Sequence, residues 1–146
     1  MVFKIFPQPD VPTLNGRIYP KELMQSSFAH FSRGDIPVEF DKDLTNPISF
    51  FTVELSKMIG LVDTRTIEFD HKSNCFLGDM RIIQDMYKKF DLSDYQLNLH
   101  GIGSVRENVI QDDYRIISIS MSPKNKQIGK SEFYYGSSEK SIVIHT

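Results

Sequence analysis

One stretch of this chain, residues 20–33, carries apolar side chains at helical spacing: Met24, Phe28 and Phe31, with Leu23 beside them. Pro20 suits the first helical position, where its missing N–H would have gone unpaired in any case. Gly34 accepts the left-handed conformation found at many helix ends. Just upstream, Asn15-Gly16 tolerates the positive φ of a tight reversal. This one helix constrains the fold because most of the other apolar runs read as strand.

Residues 2–6 form an expected short strand, followed by a proline-broken connection over 7–12. Residues 36–40 read as a second strand, 41–47 as a polar loop and 48–55 as an apolar, β-branched run. A longer strand is expected over 58–70, with Thr64, Thr66 and Glu68 on one face and Arg65, Ile67 and Phe69 on the other. After a turn at 71–74, residues 75–83 return as its hairpin partner. Residues 85–90 suit a helical turn or two. Over 95–105, Tyr95, Leu97 and Leu99 alternate with Gln96, Asn98 and His100, and Gly101 and Gly103 predict a bulge or a close backbone approach. Residues 114–121 form a further strand, closed by Ser122-Pro123. Residues 125–140 are polar and loop-like, although Phe133, Tyr134 and Tyr135 need a covering surface. Residues 141–145 end as a strand able to pair with an edge.

The expected architecture is α+β: a mostly antiparallel β-domain, a partly closed barrel, with one main helix near residues 20–33. Residues 1–146 form one domain, in which 125–146 is a C-terminal extension that pairs or docks. With 40% hydrophobic and 25% charged residues, the composition is that of a soluble globular protein. A net charge of −2 gives no electrostatic reason to expect nucleic acid or an anionic membrane as partner. No apolar run approaches the ~18 residues of a membrane span, and the first six residues lack the layout of a signal peptide. The single cysteine, Cys75, has no internal disulfide partner, so a reducing compartment and a packing role are expected.

The residues alone offer little chemistry. Asp63, Glu68, Asp70 and His71 cluster without the spacing of a metal motif, so no metal and no cofactor is expected. Asp41-Lys42-Asp43 and Gln111-Asp112-Asp113 read as solvated turns. Gly101 and Gly103 precede a strand, which makes a poor phosphate cradle. Ser104 and His100 share a strand, but four extended residues span about 13 Å, so contact between them would need a sharp bulge. Surface or capping duty is expected for all four histidines.

The run Leu14-Asn15-Gly16-Arg17-Ile18-Tyr19-Pro20-Lys21-Glu22 resembles the signature near the start of tailed-phage prohead proteases. These serine peptidases mature viral capsids and are related in fold to herpesvirus assemblin. Val38-Glu39-Phe40-Asp41-Lys42 resembles the family's E-L-D-H segment, and the run from Met58 through Ile83 its next strand pair. His100-Gly101-Ile102-Gly103-Ser104-Val105 resembles the end of its S-S-R-G-L-G-S-V strand, which bears the nucleophile. The run from Tyr114 to Pro123 resembles its closing strand and S-x-P turn. The blocks keep the family's order across residues 14–123.

The departures fall on the catalytic positions. Lys42 stands where the family has its general-base histidine, and Asn98, Leu99 and His100 where it has two serines and an arginine. An amide is not a usable nucleophile, and an ordinary lysine is protonated near neutral pH. The resemblance therefore implies an inactive peptidase homologue, with no catalytic residues, retained as a structural protein of a phage particle. It would be a decoration, cement or minor head protein, assembled in the bacterial cytoplasm. The implied partners are the major capsid protein, other head proteins or further copies of itself, without direct nucleic-acid or membrane contact. Phe133, Tyr134 and Tyr135, and Ile142 and Ile144 on the last strand, are the expected contact residues, the alternative being that they dock on the domain's own core. Two other functions stand beside this one: an active capsid-maturation protease with Ser104 as a fallback nucleophile, and an assembly scaffold or chaperone that leaves the mature head.

Overall fold

The computed structural model describes residues 1–31, 34–41, 52–124, 132–134 and 140–144, the last two spans as backbone. Its strands are β1 (Val2–Phe6), β2 (Asp35–Phe40), β3 (Met58–Asp63), β4 (Glu68–Asp70), β5 (Cys75–Ile82), β6 (Tyr95–Arg106), β7 (Val109–Ile110), β8 (Arg115–Pro123), β9 (Glu132–Tyr134) and β10 (Lys140–Ile144). Helix α1 (Lys21–Ala29) lies between β1 and β2 in the chain. Six strands run in the order β1-β5-β3-β2-β8-β6, and β1 returns to β6 in parallel at Ile5↔Leu97 and Phe6↔Asn98. The barrel is therefore closed, not partly closed as the sequence suggests. Two of its joints, β1–β6 and β2–β8, are parallel, and they remove edges that a purely antiparallel sheet would leave open.

Alternate residues of these strands supply the core, in which Ile5, Val38, Ile59, Val62, Leu97, Leu99, Ile119 and Met121 are fully buried. Helix α1 lays Met24 and Phe28 on the same cluster, with Phe28 meeting Phe76 edge-on at 5.3 Å between ring centroids. Burying side chains of this size is worth roughly 1.5–3 kcal/mol each. The helix ends at Ala29, short of residue 33. The Phe31 N–H bonds to the Phe28 carbonyl at 3.3 Å, a tightened last turn that lets Phe31 pack against the core. Gly34 does adopt a positive φ, +75°, but in the turn leading to β2.

The strand expected over 58–70 is broken. The Asp63 carboxylate accepts the Arg65 N–H at 2.9 Å, and the Thr66 hydroxyl bonds to the Asp63 carbonyl at 2.7 Å. These bonds draw Thr64–Thr66 into a 3-10 turn, so the alternation ends at Asp63 and resumes only in β4. Both pieces still pair with β5, as the hairpin reading requires. Of the apolar run 48–55, residues 48–51 lie outside the described residues. Residues 52–54 are not strand, and Leu55 is exposed in a 3-10 turn (Leu55–Lys57).

Both readings of the β6 glycines hold. The register slips between His100 and Gly101. A Cβ on Gly101 would lie 2.5 Å from Tyr114 Cζ and 2.6 Å from the Arg115 carbonyl oxygen, so the group that approaches is Tyr114. At the C-terminal end, β10 pairs antiparallel with β6 from Lys140↔Ser104 to Ile144↔His100. β9 adds to β10, placing a short strand within the stretch expected to be loop, because β10 offers it a free edge.

Candidate functional site

The polar face of β6 is buried, against the expectation of an outward face. Gln96, Asn98 and His100 stand opposite Ser122, Ser120 and Ser118 of β8. Glu39 of β2 reaches the same patch, because β2 runs parallel to β8 with Glu39 beside Ser120. Glu39, Asn98, His100 and Ser118 have no exposed surface, and Ser120 and Ser122 almost none. A carboxylate, an amide and an imidazole buried together cost free energy unless their hydrogen bonds are made.

Those bonds form two connected groups. Asn98 donates its amide to Ser122 Oγ at 3.0 Å and to the Ser120 carbonyl at 3.5 Å, and its oxygen accepts from Gln96 Nε2 at 3.3 Å. In the second group Ser118 donates its hydroxyl to Glu39 Oε1 at 2.7 Å, and the Glu54 N–H donates to Glu39 Oε2 at 3.0 Å. His100 Nδ1 lies 3.4 Å from Ser118 Oγ. A hydroxyl has one proton, and here it goes to Glu39. The contact with Ser118 is therefore a hydrogen bond only when His100 carries its proton on Nδ1 and donates it. A serine activated by histidine needs the opposite polarity, with the ring nitrogen accepting the hydroxyl proton. Serine thus stands between acid and imidazole, an arrangement that locks three strands together and anchors the residues leading to the Leu55–Lys57 turn.

Asn98, at the position of the family's nucleophile, is at the centre of the first group. Lys42 lies outside the described residues. Ser104, the fallback nucleophile, gives its hydroxyl to Asp113 Oδ2 at 2.8 Å and its N–H to Asp113 Oδ1 at 2.9 Å. Asp113 is thus a clamp on the turn between β7 and β8, and not simply a solvated residue. His30 and His71 are exposed as expected, one against the Ser26 hydroxyl and the other edge-on to Phe69. His100 is buried, contrary to expectation, and His145 lies outside the described residues.

Of the expected contact residues, Phe133 and Tyr134 fall on β9, and Ile142 and Ile144 on β10, where they stand opposite Ile102 and His100 of this domain's own β6. Tyr135 lies outside the described residues. Cys75 is buried in β5, and burial pushes its thiol above the ordinary range. Burial likewise pushes the Tyr114 phenol strongly upward, and its hydroxyl has no hydrogen-bond partner among the described residues. Hydrogen bonds from Arg65 hold the Asp63 carboxyl below its usual value. Among the described residues no three of His, Cys, Asp and Glu gather as a metal site, and no helix is long and apolar enough to cross a membrane.

The buried serine–glutamate–histidine group was within reach of the sequence through one signal. Ser118, Ser120 and Ser122 alternate with Ile119 and Met121 at the same period as Gln96, Asn98 and His100, so two polar faces were available to pair. Glu39 gave no such signal. Compared with protein-family models, with curated proteins and with solved structures, the chain returns no match.

Proposed function

We propose that this chain is a non-catalytic structural protein of a tailed-phage head, with a fold descended from that of the prohead proteases. The observation that carries the reading is Asn98. At the position where the resemblance calls for a nucleophile there is a buried amide, bonded to Ser122 and to the Ser120 carbonyl. The polarity of the Ser118–His100 contact adds support, because a hydroxyl already donated to Glu39 is not offered to the imidazole. A domain of this kind acts by presenting surfaces to the major capsid protein or to other head proteins, so many copies per particle are expected.

The test is the protein's copy number in purified mature heads, measured by quantitative mass spectrometry against the major capsid protein. A fixed, stoichiometric ratio supports the proposal. Presence in proheads and absence from mature heads would replace it with the scaffold reading. A divergent peptidase is favoured by one contact, the 2.7 Å hydrogen bond that would let Glu39 draw a proton from Ser118. That reading predicts cleavage of a co-expressed capsid protein and labelling by a fluorophosphonate, both lost in Ser118→Ala or, for the exposed alternative, in Ser104→Ala. Either signal in the parent chain would overturn the structural proposal.

A further inference from the structure

The barrel seam between β1 and β6 is paired over two residues only, Ile5↔Leu97 and Phe6↔Asn98. Before that point the strands part and leave a groove of about 540 Å³, whose walls include Val2, Lys4, Phe6, Tyr95, Gln96 and Lys124. We propose that this groove takes up an extended acidic peptide segment of a partner protein, which adds to the free edge of β1 as a strand.

The backbone directions follow from the register. Met80 donates its N–H to the Met1 carbonyl at 2.8 Å, and the Met1 amino group lies 3.4 Å from the Met80 carbonyl, so Met1 and Met80 form a hydrogen-bonded pair. Antiparallel pairs alternate between hydrogen-bonded and non-bonded. Phe3 and Ile5 therefore turn their N–H and C=O toward β5, and Val2 and Lys4 turn theirs toward the seam. No strand pairs with Val2 or Lys4 on that side. The opposite wall offers fewer donors, since the Tyr95 N–H is closed on the Leu92 carbonyl at 3.0 Å and the Lys124 N–H on the Asp94 carbonyl at 2.9 Å. An extended chain laid against β1 completes its edge with main-chain bonds, the mode by which peptides join exposed sheets.

The side chains specify the occupant. Phe6 and Tyr95 are half-buried and Val2 is 65% exposed, so the walls hold apolar surface for alternate residues of the incoming strand. Lys4 and Lys124 are exposed, and no acidic residue lines the groove among the described residues. Neither lysine forms an ion pair among the described residues. Side chains of an extended strand project to alternate sides, so one set meets Phe6 and Tyr95 while glutamates or aspartates in the other set reach the lysines. A nucleic acid offers negative charge but no strand edge. This proposal does not rest on the phage role and stands or falls by a different measurement.

The probe is a fluorescein-labelled, end-capped peptide of alternating glutamate and valine, roughly eight residues or ~26 Å long when extended. Its fluorescence anisotropy is followed against the purified full chain. Saturable binding is expected, weakened at least about tenfold when Lys4→Glu and Lys124→Glu are combined. It should also be lost when alternate peptide nitrogens are methylated, a control that leaves the protein unaltered. Thermal melting of the double variant checks that it folds, as substitution of two exposed lysines should allow. Absence of binding, equal binding of the methylated peptide, equal binding of a lysine–valine peptide, or full competition by oligothymidylate would each overturn the proposal.

Discussion

Glu39 is the residue on which the buried polar patch depends most, and its replacement tests the account of that patch. The carboxylate accepts two hydrogen bonds, from the Ser118 hydroxyl at 2.7 Å and from the Glu54 N–H at 3.0 Å, and has no exposed surface. Hydrogen bonds to a charged group contribute roughly 1.5–3 kcal/mol each. Ser118 is able to turn its proton toward His100, so part of its loss is recovered, whereas the Glu54 amide has no such freedom. Glu39→Ala should therefore cost about 3 kcal/mol, a fall in Tm of roughly 10 °C for a domain of this size. Glu39→Gln keeps the shape and one acceptor. Its oxygen must serve the fixed Glu54 N–H, which leaves the amide nitrogen facing Ser118 Oγ. The Ser118 proton then points to His100 Nδ1, and the imidazole must move its own proton to Nε2. The expected cost is about 1 kcal/mol, accompanied by a switch of tautomer visible in the ring ¹⁵N shifts. Urea unfolding gives the first quantity and long-range ¹H–¹⁵N correlation the second. Loss of less than about 1 kcal/mol in Glu39→Ala, or an unchanged tautomer in Glu39→Gln, would refute the reasoning.

Gly101→Ala places a methyl 2.5 Å from the Tyr114 ring and 2.6 Å from the Arg115 carbonyl oxygen, and since the latter is strand backbone the cost should approach about 3 kcal/mol, read as a lowered urea midpoint. Tyr114→Phe should be neutral or stabilising by calorimetry, because it removes a buried hydroxyl that has no partner among the described residues. The Ser73 hydroxyl, 2.6 Å from Asp70 Oδ2, holds the Asp70 carboxyl below its ordinary 3.8. A depressed folded value stabilises above the unfolded one and loses that contribution as pH falls through the folded value. Ser73→Ala should therefore trail the parent by a constant margin above pH 3.8, and the margin should close in stronger acid. Asn98→Ser, which restores a hydroxyl at the family's nucleophile position, should yield no peptidase activity on capsid or scaffold protein, because the general base is a separate departure.

The single helix and most of the barrel strands were legible because their signals are local. Met24 and Phe28 sit one helical turn apart, and Leu97 and Leu99 alternate with polar neighbours, so each segment announces which side meets the core. Closure was not legible. It depends on Ile5 and Phe6 meeting Leu97 and Asn98 across the length of the chain, and no local pattern records a pairing partner. The break after Asp63 was hidden for another reason. Thr64 to Phe69 alternates well enough for a strand, but the Asp63 side chain competes for the Arg65 N–H and turns the backbone first. The burial of Glu39 and His100 could not be read either, since a polar residue on a strand face signals solvent unless its cross-strand neighbours are known.

The buried patch also separates the structural and catalytic readings by what a single substitution does. A nucleophile is held for its chemistry, and active-site groups often cost stability, so truncating one tends to leave the fold intact or strengthen it. A serine held for its hydrogen bonds behaves in the opposite way. Ser118 bridges β8 to Glu39 of β2 and faces His100 of β6, so removing its hydroxyl leaves a buried carboxylate oxygen and a buried ring nitrogen each short of a bond. Ser118→Ala should therefore lower stability by about 2 kcal/mol and change no activity. Were it to stabilise the chain instead, while abolishing cleavage or fluorophosphonate labelling in the parent, Glu39 would be acting as a base and the structural role of this patch would be wrong.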